Sequence, residues 1–462
     1  MSFFDKKEVY NDGAYYIGKM SNGERHGQGT YYYANGARYE GEWYYGKKHG
    51  YGKFYYPNGD FYDGSWENGV RCGYGELYYN NGNVYKGDFI DHKAQGRGIL
   101  YYQDGSRYEG SFINFKRSGK GTLFFANGNI YTGNWYNDKY DGYGEIRYAN
   151  GNLLKCNWSE GERIDSSSLT FTNGTIKEST WIHGKEYRIF VTYPNDDLYM
   201  GDYENNSRNG FGHYLYANGN VYKGMWKNGQ REGYGVFKKG NTTYIGTFFE
   251  NKYNGMGVLI DDDQVYYGEF KNGKRDGLGV VIFQDNPPIL LYWHEDEIID
   301  PNGELSALYN NINIISYEDG DVYTGMWKND QKNGIGVYLS NNGFALFGEW
   351  IDDGLNGYGI VIGNQNVYVG QFRDGIQQNL GIHEDDQENI YIGQFENDEY
   401  SGEGIFYYNN GRYHKGQFKD SEKYGKGEYF NKNCELIVGD FSDPEYVEVD
   451  FIIDEEGNIK SN

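Results

Sequence analysis

The sequence is poor in aliphatic residues, proline and cysteine. Only 38% of its 462 residues are hydrophobic, below the ~45 to 50% that is usual for soluble domains, and the mean hydropathy is −0.85. At this length, about two or three globular domains with aliphatic cores would be expected, and the composition does not supply them. The three cysteines Cys72, Cys156 and Cys434 are far apart, which favours free thiols over a disulfide or metal framework.

Long apolar segments are also missing. No apolar run reaches the ~18 residues of a transmembrane helix. The first residues, MSFFDKKEVYNDG, contain early acidic residues and no apolar core, so neither a signal peptide nor a transit peptide is predicted. These features predict a cytoplasmic protein.

What the chain has instead is glycine and tyrosine in a repeated pattern. It contains 70 Gly and 52 Tyr, and an opening of tyrosine, any residue, glycine, any residue, aromatic recurs with a step of 22 or 23 residues or a small multiple of it. Weaker copies begin at Leu154, Lys177, Ile289, Leu346, His414 and Ile437, so about 19 units cover nearly the whole chain. The full openings begin at Tyr16, Tyr39, Tyr62, Tyr85, Tyr108, Tyr131, Tyr199, Tyr222, Tyr244, Tyr266, Tyr323, Tyr368 and Tyr391.

Each unit predicts two β-strands. In YEGEW, Tyr39, Gly41 and Trp43 are two residues apart and share one face of a strand. A Gly-x-Gly strand follows, and Asn-Gly pairs such as Asn58-Gly59 between units predict hairpin turns. The prediction is an all-β fold, an elongated single-layer antiparallel meander of stacked β-hairpins. The aromatics predicted to build the stack include Tyr39, Trp43, Tyr62, Trp66, Tyr131, Trp135, Tyr222, Trp226, Tyr323 and Trp327.

The paired glycines predict rings lying flat over bare backbone, because a glycine weakens a strand unless something large needs the space above it. Two buried rings contribute about 8 kcal/mol at ~25 cal/mol per Å². Ordering ~23 residues costs more than that. An isolated unit is therefore not expected to fold without its neighbours, as in other repeat arrays.

This pattern resembles the MORN repeat, the "membrane occupation and recognition nexus". The resemblance implies a long sheet of hairpins of the kind found in junctional membrane proteins, lipid kinases, parasite cytoskeletal scaffolds and the radial-spoke heads of cilia. The sequence departs from the pattern at two places, where Gly-x-Gly is replaced by IDSSSLTF and where an acidic insert follows His294.

The repeats divide the chain into seven segments. We predict a lead-in at 1–15, a regular array at 16–153, degenerate repeats at 154–198, a second array at 199–294, an insert at 295–322, a third array at 323–441 and an acidic strand and tail at 442–462. Helix is expected only around Leu305 to Asn310, and YVEVDFII predicts a further strand. For the degenerate repeats at Leu154 and Lys177, a bend or partner contact and ordinary stacking both remain open.

No catalytic, cofactor or metal site is predicted. The eight histidines are scattered, no Gly-x-Gly pair extends into a GxGxxG loop, and the acidic clusters lack the spacing of an EF-hand. A nucleic-acid partner is not expected, because phosphate binding requires a basic surface and the pI is about 4.8.

A basic residue precedes most Gly-x-Gly pairs, which predicts a row of cations along one edge. One interpretation is a turn residue neutralised by local acids, and the other is an edge that binds an acidic partner. The candidate partner-binding residues are Arg25, Lys48, Arg71, Arg117, Arg208, Arg231, Arg275 and Lys332, and the same row is predicted to include Lys93, Lys139, Lys252 and Lys423.

Two functions follow from these observations. The first is a non-catalytic structural scaffold or spacer of a large assembly, which the family resemblance places in a ciliary axoneme, as in radial spokes, or in a cytoskeleton. Its partners would be other protein subunits, and a homo-oligomer is left open. The alternative is a membrane-associated module that binds phosphoinositide headgroups. The net charge of −24 argues against the alternative, because an anionic membrane repels such a chain.

Overall fold

The computed structural model describes residues 6–283, 289–299, 312–363, 365–443 and 446–461. Within these ranges every regular element is a β-strand, and no helix occurs. The prediction of an all-β antiparallel meander is confirmed. The helix predicted around Leu305 to Asn310 and most of the insert lie outside the described residues.

The chain divides into two compact units. The first extends to Ile176 and includes Trp181–Glu186, and the second comprises Lys177–Thr180 and the residues from Tyr187 onward. The division therefore falls on the degenerate repeat that begins at Lys177. The segment boundaries predicted from the sequence remain a prediction.

The first unit is a meander in which each strand pairs antiparallel with the next. Two further strands, Ile176–Ile182 (β16) and Lys185–Thr192 (β17), lie at the division between the units. The strands of the first unit are Lys6–Val9 (β1), Tyr15–Ser21 (β2), Glu24–Tyr32 (β3), Arg38–Tyr44 (β4), Lys47–Tyr55 (β5), Phe61–Glu67 (β6), Val70–Tyr78 (β7), Val84–Ile90 (β8), Lys93–Tyr101 (β9), Arg107–Ile113 (β10), Lys116–Phe124 (β11), Ile130–Tyr136 (β12), Lys139–Arg147 (β13), Leu153–Ser159 (β14) and Glu162–Thr170 (β15).

The second unit contains two successive meanders of the same kind. The strands of the first meander, after β17, are Leu198–Glu204 (β18), Ser207–Leu215 (β19), Val221–Lys227 (β20), Gln230–Lys239 (β21), Thr242–Phe249 (β22), Lys252–Ile260 (β23), Gln264–Lys271 (β24), Lys274–Phe283 (β25), Ile289–His294 (β26) and Glu297–Ile298 (β27). The strands of the second meander are Ile312–Ser316 (β28), Val322–Lys328 (β29), Gln331–Leu339 (β30), Ala345–Ile351 (β31), Gly354–Gly363 (β32), Asn366–Arg373 (β33), Ile376–Glu384 (β34), Ile390–Glu396 (β35), Glu399–Tyr407 (β36), Tyr413–Lys419 (β37), Glu422–Phe430 (β38), Leu436–Asp440 (β39), Glu448–Ile453 (β40) and Ile459–Ser461 (β41).

Two kinds of turn connect the strands. Between consecutive repeats, the predicted Asn-Gly turn is present. The amide of Tyr33 donates to the carbonyl of Ala37 at 2.9 Å, and this bond encloses Asn35-Gly36. Within a repeat, the turn between its two strands is two residues long, and both residues have positive φ, as at Tyr45 (44°) and Gly46 (78°). This backbone matches the twist of a tight hairpin.

The two glycines of a Gly-x-Gly pair serve different purposes. Gly50 has φ of 60° at a β-bulge where the register shifts between Gly41 and Glu42. Gly52 lies under a ring, since a Cβ added there would stand 2.4 Å from the Tyr39 hydroxyl oxygen. The sequence analysis assigned both glycines to ring packing, which is correct only for the second. Where the first glycine is absent, other residues still adopt the positive φ, namely Asp165 (55°), Arg188 (47°) and Asn379 (58°).

The repeat tyrosines and tryptophans form one face of each meander, called here the ring face. The Tyr39 hydroxyl donates to the carbonyl of Glu42 at 3.0 Å. Its ring meets Trp43 of the same repeat at 5.1 Å and Trp66 of the next at 5.3 Å, both edge to face. Each tryptophan thus links two repeats. All ten aromatics named in the sequence analysis are at most 4% exposed except Trp327, which is half-buried.

The opposite side of each strand, called here the second face, differs between the units. In the second unit it carries aliphatic residues from both meanders, which join in one buried cluster that includes Val236, Ile245, Val369, Ile382 and Ile392. Strands β21, β23 and β24 contact strands β31 to β34 across this cluster. The second unit is therefore two-layered in this region, where the sequence analysis expected a single layer.

Polar contacts join the two layers near the ends of the second unit. Lys238 on β21 lies 3.2 Å from the Glu384 carboxylate on β34, and Lys415 on β37 forms an ion pair with Asp202 on β18. Arg188 on β17 donates to the carbonyl of Glu455 at 2.7 Å. The strand predicted from YVEVDFII is present as β40 and pairs with β39 and β41. The C-terminal segment therefore belongs to the layer formed by the second meander.

Candidate interaction surfaces

The predicted basic row lies over the ring face. The guanidinium of Arg208 stands 4.2 Å from the centre of the Trp226 ring, and its Nη2 donates to the carbonyl of Gly229 at 2.7 Å. Arg117 stands 4.2 Å from the Trp135 ring and pairs with Asp138 at 3.0 Å, with 17% of its side chain exposed. Each cation therefore packs on the ring of the next repeat and bonds to the next turn.

The other predicted members of the row are placed in the same way. The cation and ring pairs are Arg25 with Trp43, Lys48 with Trp66, Arg71 with Phe89, Arg231 with Phe248, Arg275 with Trp293 and Lys332 with Trp350. Because these side chains cover the rings, the ring face is closed within the chain. Partner binding by this row remains a prediction.

Lys48 is the most perturbed cation of the row. It lies 4.4 Å from the Phe54 ring and 4.3 Å from the Trp66 ring. Burial, together with the positive charges of Arg71 and Arg25, lowers the pKa of the Lys48 ammonium to about 8. An arginine at the same place keeps its charge more readily, which agrees with the arginine found at six of the eight candidate partner-binding positions.

Three lysines of the predicted row lie elsewhere. Lys93, Lys139 and Lys252 come one residue earlier in the repeat than Arg25 or Arg208, and the structure places them as exposed residues beside the within-unit turns. Lys47 and Lys116 occupy the same exposed position, and the sequence analysis missed them. Spacing could have identified these exposed lysines, because they precede the first glycine of Gly-x-Gly by three residues, whereas Arg25 and Arg208 precede it by two.

The second face of the first unit is polar and uncovered within that unit. Lys53 pairs with Asp63 at 2.8 Å across neighbouring strands. Tyr51, Tyr74 and Tyr143 are 55%, 56% and 51% exposed. We call this surface the open face; it is defined by Tyr51, Lys53, Asp63, Tyr74, Glu76, Lys86, Tyr143 and Glu145.

The same repeat position can be buried in the second unit. Tyr234 lies between the two glycines of its Gly-x-Gly pair, as Tyr51 does, and it is only 6% exposed because it belongs to the interlayer cluster. This position of the repeat is thus exposed at Tyr51 of the first unit and covered at Tyr234 of the second, although Tyr358, at the same position of the second unit, is exposed.

A groove crosses the open face near its N-terminal end. It has a volume of about 580 Å³, and its floor contains Gly18, Gly29, Gly41 and Gly52. The flanking side chains are Ile17, Gln28, Thr30, Glu40, Glu42, Tyr51 and Lys53. Most of these side chains carry hydrogen-bonding groups, and two of them are carboxylates, which suits a peptide backbone better than a single small anion.

The net charge is divided unequally between the units. Residues 1–186 contain as many Lys and Arg as Asp and Glu, so the whole formal charge of −24 belongs to residues 187–462. Among the described residues, no group of three His, Cys, Asp or Glu side chains is placed to hold a metal ion. The described part of the chain also contains no helix that could span a bilayer.

The fold and surfaces define an all-β repeat array. The MORN repeat family model matches more than half of the chain, and the chain belongs to this family. The matches do not include the opening at Tyr368 or the six weaker copies, although these also form strands of the meanders. The matched residues are 16–38, 39–61, 62–84, 85–107, 108–130, 131–153, 199–221, 222–242, 244–264, 266–286, 323–344 and 391–411.

The chain also has low similarity to several solved structures. The SAS-4 TCP domain of Drosophila melanogaster, solved with a proline-rich motif of Ana2, is 18% identical, with 33% of this chain and 84% of that chain covered and a TM-score of 0.24. A streptogramin B lyase is 12% identical, with 75% and 90% covered and a TM-score of 0.11. No curated protein matches the chain significantly.

Proposed function

We propose that this MORN-repeat protein is a non-catalytic scaffold of a large assembly and that the open face of its first unit receives a protein partner. The family is a repeat scaffold, and no catalytic family matches the chain. The ciliary axoneme, or a cytoskeleton, is the setting we propose from the family resemblance.

The difference between the two second faces supports this proposal. In the second unit this face carries the aliphatic interlayer cluster, whose residues are buried within the unit. In the first unit it is polar, with exposed tyrosines on two successive repeats at Tyr51 and Tyr74 and on a later repeat at Tyr143. Exposed aromatics among polar groups are typical of protein interfaces. A contact distributed over many repeats also suits a spacer, which must hold its orientation.

Localisation and cross-linking test the proposal. A fluorescently tagged chain in the source cell should co-localise and co-extract with axonemes or cytoskeleton. Cross-links to partner subunits should concentrate on the open face. The double variant Tyr51→Ala/Tyr74→Ala should reduce co-extraction several-fold, since aromatic residues dominate interface energies.

Tyr358→Ala is the matched control. Tyr358 occupies the same place between two glycines in the second unit and is 54% exposed. Because it lies outside the open face, its loss should leave co-extraction unchanged. A diffuse signal, or equal effects of the two substitutions, would contradict the proposal. Recovery of the chain with phosphoinositide vesicles in a flotation assay, unaffected by either substitution, would favour the membrane alternative.

A further inference from the structure

We propose that the partner segment received by the open face is a proline-rich chain in the polyproline II conformation, with two prolines three residues apart packed on Tyr51 and Tyr74. This inference rests on the scaffold function proposed above and names the chemistry of its partner. The binding site, called here the channel, runs across the strands of the first unit on the open face.

The channel follows a line of glycines. From Gly18 on β2 to Gly144 on β13, one glycine of each strand lies opposite a glycine of the next strand. The residues before and after each glycine point to the open face and form two walls about 7 Å apart. The groove of about 580 Å³ described above is the first part of the channel.

Net charge does not select the partner of the channel. One wall contains five carboxylates, and each of them lies 2.6 to 3.9 Å from a cation of the same face, as Asp63 does from Lys53 at 2.8 Å. The other wall carries charges of both signs, such as Asp88 and Arg97. A segment without net charge fits best, because a charged one would have to compete with ion pairs that are already formed.

Exposed tyrosine rings lie along the channel. Tyr51 and Tyr74 occupy the same position of consecutive repeats and are 55% and 56% exposed. Tyr143 occupies this position three repeats later, and its hydroxyl donates to Glu145 at 2.7 Å, so its ring leans over the glycine between them. Consecutive repeats are two strands apart and strands lie ~4.8 Å apart, so Tyr51 and Tyr74 are separated by about 10 Å.

A polyproline II chain matches this interval. It has three residues per turn and rises ~3.1 Å per residue, so every third residue faces the same way after about 9 Å. Two prolines at such positions can each pack on one ring, as proline-rich segments do in other aromatic-lined grooves. Proline also lacks an amide hydrogen, so it loses no hydrogen bond over strands whose backbone groups are already paired with each other.

Other backbone conformations fit the channel less well. An extended strand points successive side chains to opposite sides, so residues on one side recur at about 7 or 14 Å, and neither value is the ring interval. An α-helix with its side chains is ~10 Å wide and cannot enter between walls about 7 Å apart. The geometry therefore favours polyproline II over both.

The second unit supplies a matched control. Tyr358 occupies the same repeat position as Tyr51 and is 54% exposed. Ile360 and Val369, which form the wall beside it, are each 1% exposed because they belong to the interlayer cluster. The channel is therefore closed at Tyr358, and this tyrosine should not bind a proline-rich segment.

Titration of the purified full chain with a twelve-residue polyproline peptide tests the inference. Isothermal titration calorimetry should show saturable binding of this peptide and none of a Gly-Ser peptide of equal length. The double variant Tyr51→Ala/Tyr74→Ala should weaken the binding about tenfold, since aromatic anchors dominate contacts of this kind. Tyr358→Ala should leave it unchanged.

Hydroxyl-radical footprinting of the wild-type chain makes the test independent of folding defects in the variants. The polyproline peptide should protect Tyr51 and Tyr74 from oxidation and leave Tyr358 unchanged. Absence of binding, equal binding of the Gly-Ser peptide, or equal protection of Tyr51 and Tyr358 would overturn the inference.

The outcomes separate this inference from the scaffold function. If the double variant reduces co-extraction but the polyproline peptide does not bind, the open face receives a partner of another conformation and this inference is wrong. If the peptide binds at Tyr51 and Tyr74 but the double variant leaves co-extraction unchanged, the channel binds proline-rich chains and the proposed function is wrong.

Discussion

At the scale of single residues, the ring face depends on each tryptophan filling the space between two repeats. Trp226 is 4% exposed and contacts Tyr222 and Tyr199 at 5.0 and 5.7 Å. Trp226→Ala should therefore destabilise the second unit by about 3 to 5 kcal/mol. Urea unfolding measures this loss, and hydrogen exchange should place it on the adjoining repeats. Phe249→Ala, which removes an exposed ring, is the control and should cost little.

One residue of the ring face makes stability depend on pH. His414 stands where other repeats have tyrosine and is fully buried, and neither ring nitrogen has a hydrogen-bond partner among the residues that the structure describes. Burial lowers the pKa of His414 to about 3, against ~6.5 in the unfolded chain. Between these values the unfolded chain binds more protons, so stability falls by about 1.4 kcal/mol for each pH unit below 6.5.

His414→Tyr should remove this dependence. The glycines that a tyrosine ring requires, Gly416 and Gly427, are already present beside His414. Urea unfolding at pH 7.5 and pH 5 should show the variant losing about 2 kcal/mol less than the wild type on acidification. His213, whose pKa is also lowered to about 3 by burial, continues to contribute in both proteins. Equal losses in the two proteins would contradict this explanation.

At the scale of the β-hairpin, each tyrosine and its glycine are coupled. A Cβ at Gly52 would meet the Tyr39 hydroxyl at 2.4 Å. In the degenerate repeat, Leu154 takes the place of the tyrosine, and Ser167 takes the place of the glycine. The chain therefore already contains one repeat in which both members of the tyrosine and glycine pair are replaced together.

A double-mutant cycle tests the coupling. Gly52→Ser alone should be strongly destabilising, because the ring has nowhere to move in a packed face. Tyr39→Leu alone should cost about 2 to 4 kcal/mol of buried ring. Together they should cost at least ~1 kcal/mol less than the sum, as measured by urea unfolding. Additive losses would show that the glycine is required by the backbone alone.

The hairpin is also the scale at which the sequence predicted most. The 23-residue period, the two strands and the Asn-Gly turns follow from local chemistry, and all are present. The separate role of the first glycine could not be predicted. A glycine required for a positive φ, such as Gly50, looks the same in the sequence as a glycine required for ring packing. Asp165 and Asn379, polar residues at the same place, were the available clue.

At the scale of the whole molecule, the layering of the second unit was not predicted. The sequence analysis read the ring positions of each repeat and gave less weight to the alternate positions. Those positions are charged at Glu40 and Lys53 but aliphatic at Val236, Ile245 and Ile382. A strand that is apolar on both faces is typical of a buried sheet. That contrast marks which repeats pack on another layer.

The basic row shows the same limit. Its regular spacing was visible in the sequence, but whether Arg25 or Arg208 faces solvent or a ring depends on contacts with the next repeat. A shift of one residue separates the cations that cover the rings from exposed lysines such as Lys93 and Lys139 beside the within-repeat turns. Spacing alone did not separate these two groups.

The central claim is that the open face is accessible in the free protein and covered in the assembly. Hydroxyl-radical footprinting of the purified chain and of the extracted assembly tests it directly. In the purified chain, Tyr51, Tyr74 and Tyr143 should be oxidised readily, whereas Tyr234, at the same repeat position, should be protected. In the assembly the first three should become protected as well. Equal oxidation of Tyr51 and Tyr234 in the free chain, or unchanged oxidation of Tyr51, Tyr74 and Tyr143 in the assembly, would contradict the account.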